Sequence, residues 1–118
     1  MKRDPDVIRS IAMATEALKP GELLTQLPNI DQHTFAFHVK LMQDAGLVDA
    51  VVKSYLGNEP PPAVVMRLTW DGADFLDAAR SDTLWAKAKK SVIAPTASWT
   101  FDILTAWLKE QIAQGLAP

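Results

Sequence analysis

Cysteine is absent from this chain of 118 residues. With it go disulfides, thiolate metal ligands and a cysteine nucleophile, and the composition suits a reducing cytoplasm, the expected compartment. An excess of positive charge is also lacking. The net charge is −2 at pH 7, so the molecule as a whole offers no electrostatic footprint for nucleic acid, and DNA binding would need a local patch. Long apolar runs are missing too. The longest uncharged stretch with apolar residues, Ser91 to Phe101, is far too short to span a bilayer. The start, MKRDPDV, is charged with no apolar run behind it, so neither a signal peptide nor membrane insertion is expected.

Chemistry-bearing patterns are equally sparse. The glycines, at 21, 46, 57, 72 and 115, are too scattered to cradle a phosphate, and no serine lies in a nucleophile elbow. His33 and His38 lie about 140° apart around a helix, so they do not chelate one metal from a shared face. Asp71, Asp74 and Asp77 read as a solvated acidic side. No catalytic residue, cofactor or metal site is expected, and the chain is not expected to be an enzyme.

What is present is ordinary globular usage, 48% hydrophobic and 22% charged, in a length that suits a single compact domain. Asp4-Pro5 is a helix start, an acidic cap before proline at the first helical position. Val7, Ile8, Ile11, Thr15 and Leu18 follow at helical spacing until Pro20-Gly21. GELLTQL suggests a short second helix, broken by Pro28-Asn29. Asp31 caps a third, running to about Ala45 with Gly46 in the left-handed position after it. The period then changes. LVDAVVKSYL and AVVMRL alternate as strands around GNEPPP, whose prolines do not pair in a ladder. Thr69 caps TWDGADFLDAAR, Ser81-Asp82 restarts a helix, and a last helix capped by Ser98 runs to about Gln114.

Three helices, a hairpin and further helices are the order of a winged helix-turn-helix. The expected fold is α+β, mostly α: residues 1–80 form a winged-helix domain, and 81–118 a C-terminal helical extension packed on the same domain. The third helix is then the recognition helix. Phe35, His38, Val39, Met42 and Ala45 cluster on its inner side. Gln32, His33, Ala36, Phe37, Lys40, Gln43 and Asp44 fall on the other. The candidate DNA contacts are Gln32, His33, Ala36, Phe37, Lys40 and Gln43, with Arg67 and the wing loop on the phosphate backbone. Phe37 suits either a thymine methyl or a protein partner as an anchor. From Asp31 to Thr69 the bases Lys40, Lys53 and Arg67 face the acids Asp31, Asp44, Asp49 and Glu59, a weak balance for a phosphate binder.

HVKLMQDAGLV followed by a hairpin and RLTWDGADFLDAAR is similar to the winged-helix pattern of many bacterial repressors. Over nearly its full length the chain resembles the domain-of-unknown-function family 2513. MKRDPDVIR, FHVKLMQDAGL and RLTWDGADFLDAARSDTLWAKAK carry the likeness, with LTWDGADFLDAARSDTLW the most specific part. The resemblance implies a fold and a phage or mobile-element setting, and no catalytic or ligand residues. Phe37 and the scarcity of bases near the helix depart from the repressor pattern. The expected function is thus a winged-helix transcriptional regulator binding double-stranded DNA. The alternative is a winged-helix module that binds a protein through the Phe37 face without nucleic acid.

Trp70 and Trp85 read as core. The final helix has an apolar stripe, Phe101, Leu104, Leu108 and Ile112, widened by Ile103 and Trp107 beyond what one packing surface requires. Ile103 and Trp107 are therefore the candidate homodimer contact.

Overall fold

The computed structural model describes residues 1–53, 57–94 and 99–115. Five α-helices and one antiparallel hairpin lie among them: α1 (Pro5–Glu16), α2 (Gln32–Asp44), β1 (Val48–Val52), β2 (Ala63–Leu68), α3 (Trp70–Ala79), α4 (Asp82–Ala88) and α5 (Phe101–Ala113), with a π-helical turn, Lys89–Ile93, after α4. No helix among the described residues is long and apolar enough to cross a membrane. The chain divides into two compact units, Met1–Ala73 and Asp74–Pro118.

In the first unit, α1 begins where its cap predicts: the Asp4 carboxylate accepts the Asp6 N–H, and Pro5 occupies the first turn. Val7, Ile8, Ile11, Ala12 and Thr15 are buried along one side. Gly46, at φ 76°, closes α2 in the left-handed region. The hairpin pairs Val48 with Leu68, Asp49 with Arg67 and Ala50 with Val65, so a bulge leaves Met66 unpaired. That extra residue shifts the inward parity of β2. Val65 is fully buried while Met66 is 39% exposed.

Two helices, rather than three, precede the hairpin. No residue of GELLTQL is helical. Leu24 N–H donates to Val65 O at 3.0 Å and Val65 N–H returns to Leu24 O at 2.9 Å, a single antiparallel bridge on the edge of β2. A seven-residue helix between Gly21, at φ 85°, and Pro28 is marginal by itself. The pairing to β2 satisfies backbone groups that such a helix leaves open at both ends.

The base of the hairpin is clasped. Thr69 N–H donates to Leu47 O at 3.0 Å, and its hydroxyl donates to Gly46 O at 2.5 Å. The same hydroxyl accepts Gly72 N–H at 3.1 Å, capping α3 as expected. Leu47 O also lies so close to Gly72 that a methyl group there would overlap it.

In the second unit, Phe75, Leu76, Leu84, Trp85, Trp99, Leu104 and Leu108 are buried. Phe75 stands edge-to-face with both Trp85, at 6.2 Å, and Phe101, at 5.4 Å. Ser81 caps α4 through Leu84 N–H. The expected cap of α5, Ser98, lies outside the described residues. The helix starts instead at Phe101, where the extended Thr100 accepts Ile103 N–H through its hydroxyl at 3.1 Å.

Trp70 is not core. It is 86% exposed, because α3 buries the side bearing Gly72, Phe75, Leu76 and Ala79, and Trp70 lies about 160° from Gly72 around the helix.

Gly72→Ala should lower stability by about 2–3 kcal/mol, since the added methyl meets a backbone carbonyl that cannot yield without opening the clasp. Urea denaturation measures this, and a midpoint unchanged from the wild type would contradict the close approach.

Candidate functional site

The first amides of an α-helix have no partner within the helix, and Asp31 meets this need in α2: its carboxylate accepts Thr34 N–H at 2.9 Å and the Thr34 hydroxyl at 2.8 Å. Inside the helix, His38 is 1% exposed. Its Nδ1 donates to Thr34 O at 2.7 Å and its Nε2 accepts the Asp4 N–H at 2.8 Å. The neutral Nδ1–H tautomer satisfies both bonds. They fasten the segment before α1 to α2 across a separation of 34 residues.

Phe35, Ala36, His38, Val39 and Met42 are the buried residues of α2. This matches the expected inner side except at two places. Ala45 is the exposed C-cap. Ala36, expected among the outward contacts, is 1% exposed. At 100° per residue Ala36 and Gln43 lie about 20° apart, on the flank that faces the hairpin. Gln43 is committed there: its amide donates to Ala50 O at 2.6 Å.

His33 and Lys40 are exposed, and Gln32 and Phe37 are half-buried. The Phe37 ring stands edge-on to His38 with centroids 5.2 Å apart. Between this side of α2 and the outer part of the hairpin lies a cleft of about 460 Å³. Its apolar lining is Met1, Ala36, Phe37, Val52 and Pro61, and its polar lining is His33, Lys40, Lys53 and Glu59.

The cleft thus gathers four of the seven candidate contacts, His33, Ala36, Phe37 and Lys40. Arg67 does not join them. It pairs with Asp49 at 2.6 Å and borders a separate depression beside Lys19 and Glu22. Lys40 pairs in turn with Asp44 at 3.1 Å. Sequence reading missed Met1, Val52, Lys53 and Pro61 as cleft residues. Lys53 and Pro61 flank the hairpin connection and were open to that reading, but the place of Met1 depends on the remote Asp4–His38 bond, which leaves no local pattern. Among the described residues no group of three His, Asp or Glu is arranged to hold a metal ion.

The model of the family described as "Hypothetical protein (DUF2513)" matches residues 2–98. An uncharacterized protein of Haemophilus influenzae is 35% identical over 120 residues, covering 99% of this chain and all of that protein. An S-adenosylmethionine:tRNA ribosyltransferase-isomerase of Azoarcus is 34% identical over 94 residues, 75% of this chain. That match spans only 26% of the enzyme's own length. No solved structure matches.

The Asp31 carboxyl is held below its ordinary value of 3.8, first by Thr34 N–H and then by the Thr34 hydroxyl. Its folded value therefore lies below its unfolded one. The cap stabilises the fold fully above the unfolded value, and the contribution is lost as pH falls through the folded value. Asp31→Ala should lower the urea midpoint at neutral pH, and its gap from the wild type should close on acidification below 3.8. A gap that stays constant with pH would show that the carboxylate's charge plays no part.

Proposed function

We propose that this chain, which belongs to the DUF2513 family over residues 2–98, is a winged-helix-like module that binds a protein partner in the cleft between α2 and the hairpin. One observation carries the proposal: Phe37 lies in a concave cleft with apolar lining, while Lys40 and Arg67, two of the three bases of the same region, pair with its own acids. A concave patch with an aromatic floor and a polar rim is what a partner's anchor side chain requires. Phosphate recognition instead needs net positive charge, because release of counterions supplies most of its free energy. Lys40, Lys53 and Arg67 against Asp31, Asp44, Asp49 and Glu59 give three charges against four. Gln43 and Ala36 are no longer open to base edges.

The second reading, a DNA-binding regulator, is favoured by the element order. A helix, an extended bridge, a helix and a hairpin match the winged-helix order with one helix replaced by the bridge at Leu24. In that reading α2 enters the major groove, with Gln32, His33, Phe37 and Lys40 toward the bases and backbone. Exposed ion pairs such as Lys40–Asp44 are weak enough to exchange for phosphates.

Gel shifts on random duplexes at low salt separate the two readings. Partner binding expects no retardation. Retardation whose salt slope falls by about one unit in Lys40→Ala establishes the DNA reading instead.

The proposal extends to assembly, with two copies meeting through α5. Ile103 is 55% exposed and Trp107 half-buried, so Ile103 is the cleaner probe. Ile103→Glu should yield a folded monomer, because burying an unpaired carboxylate in a symmetric interface is costly. Light scattering alongside circular dichroism tests this, and a wild type already monomeric at high concentration ends the idea.

A further inference from the structure

We infer that the partner segment is short and acidic, with one apolar side chain seated on Phe37 and carboxylates reaching Lys53, Lys40 and His33. This rests on the partner-binding reading of the same cleft and adds the chemistry of its occupant.

Size limits the occupant first. Pockets that take drug-sized ligands run from roughly 300 to 1,000 Å³, and this cleft holds about 460 Å³. That volume takes a few side chains of a bound segment and no folded domain. The half-buried Phe37, Val52 and Pro61 select an apolar anchor, since they offer no polar side-chain atom.

The rim selects charge. A duplex would span the whole face, with its three bases against four acids, whereas the charged lining of the cleft itself is Lys40 and Lys53 against Glu59, with His33 as a further polar member. The Lys40 ammonium is shared with Asp44, with both side chains more than half exposed, so a carboxylate on the segment can compete for it. The Lys53 ammonium makes no hydrogen bond or ion pair among the described residues. His33 adds a ring N–H donor at the first turn of α2. A basic or purely apolar segment would leave these groups desolvated without a counter-charge.

Random heptapeptides displayed on phage and panned on the full chain test the inference, with winners synthesised and measured by fluorescence anisotropy. The expected winners carry an aromatic or aliphatic residue flanked by Asp or Glu. Their binding should weaken with salt and fall about tenfold or more in both Phe37→Ala and Lys53→Glu. Circular dichroism confirms that the variants are folded, and Lys53→Glu, at an exposed position, keeps the test decisive if Phe37→Ala is not. Winners that need Phe37 but carry no acid, and ignore Lys53→Glu, overturn the acidic assignment and leave the partner-binding cleft standing. Winners indifferent to both variants, or no enrichment at all, overturn the inference and the partner-binding reading together. Displacement of winners by random duplex DNA at low salt overturns both in favour of the nucleic-acid reading.

Discussion

Four backbone stretches meet at Thr69. The turn after α2 at Gly46, Leu47 just before β1, Thr69 just after β2 and the first turn of α3 are joined there by the bonds to Leu47 O, Gly46 O and Gly72 N–H. Each bond satisfies a backbone group that lies outside any helix or strand ladder: two carbonyls in the turn between α2 and β1 and one amide at a helix start. Gly72 is the residue that permits it, because only a bare Cα lets α3 come so near Leu47 O. A two-stranded hairpin is marginal without support. This one is fixed at its base to the helix whose outer side it faces.

The cleft follows from that attachment. With the base fixed, the hairpin lies along the Ala36 and Gln43 flank of α2, and the Gln43 amide secures it at Ala50 O, beside the bulge. The same geometry that creates a concavity takes two of the candidate contacts out of circulation. Phe37 remains half-buried beside the buried His38. His38 in turn holds the segment before α1, which brings Met1 to the cleft edge. The outer side of α2 is thus part of a recess whose wall belongs to three parts of the chain.

The legible features were those encoded locally. Asp4-Pro5, Asp31, Gly46, Thr69 and Ser81 each act through a hydrogen bond or backbone conformation within a few residues of themselves, and each stands where its chemistry implies. The illegible features were set by distant partners. GELLTQL carries a helical spacing of leucines, yet Leu24 pairs with Val65 on the edge of β2 through both its backbone N–H and its carbonyl. Trp70 is apolar enough for a core, but the phase of α3 is dictated by Gly72, two residues on. Ala36 was assigned outward by angle alone, without knowledge of where the hairpin falls. The stretches that carry the family likeness, AGLV and LTWDG, contain Gly46, Leu47, Thr69 and Gly72. What those motifs specify is the clasp, which explains why they are informative about fold and silent about the partner.

Joined through the Thr69 junction, α2 and the hairpin are expected to open as one cooperative unit, which would leave the cleft pre-formed. Native-state hydrogen exchange measures this directly at the amides of Thr69, Val65 and Val39. The account predicts that all three open together, with one free energy and one dependence on denaturant, because the hairpin cannot leave α2 without breaking the clasp. Thr69 and Val65 amides that exchange through a much cheaper opening than Val39 would contradict it, since the hairpin would then move independently and the cleft would have no fixed wall.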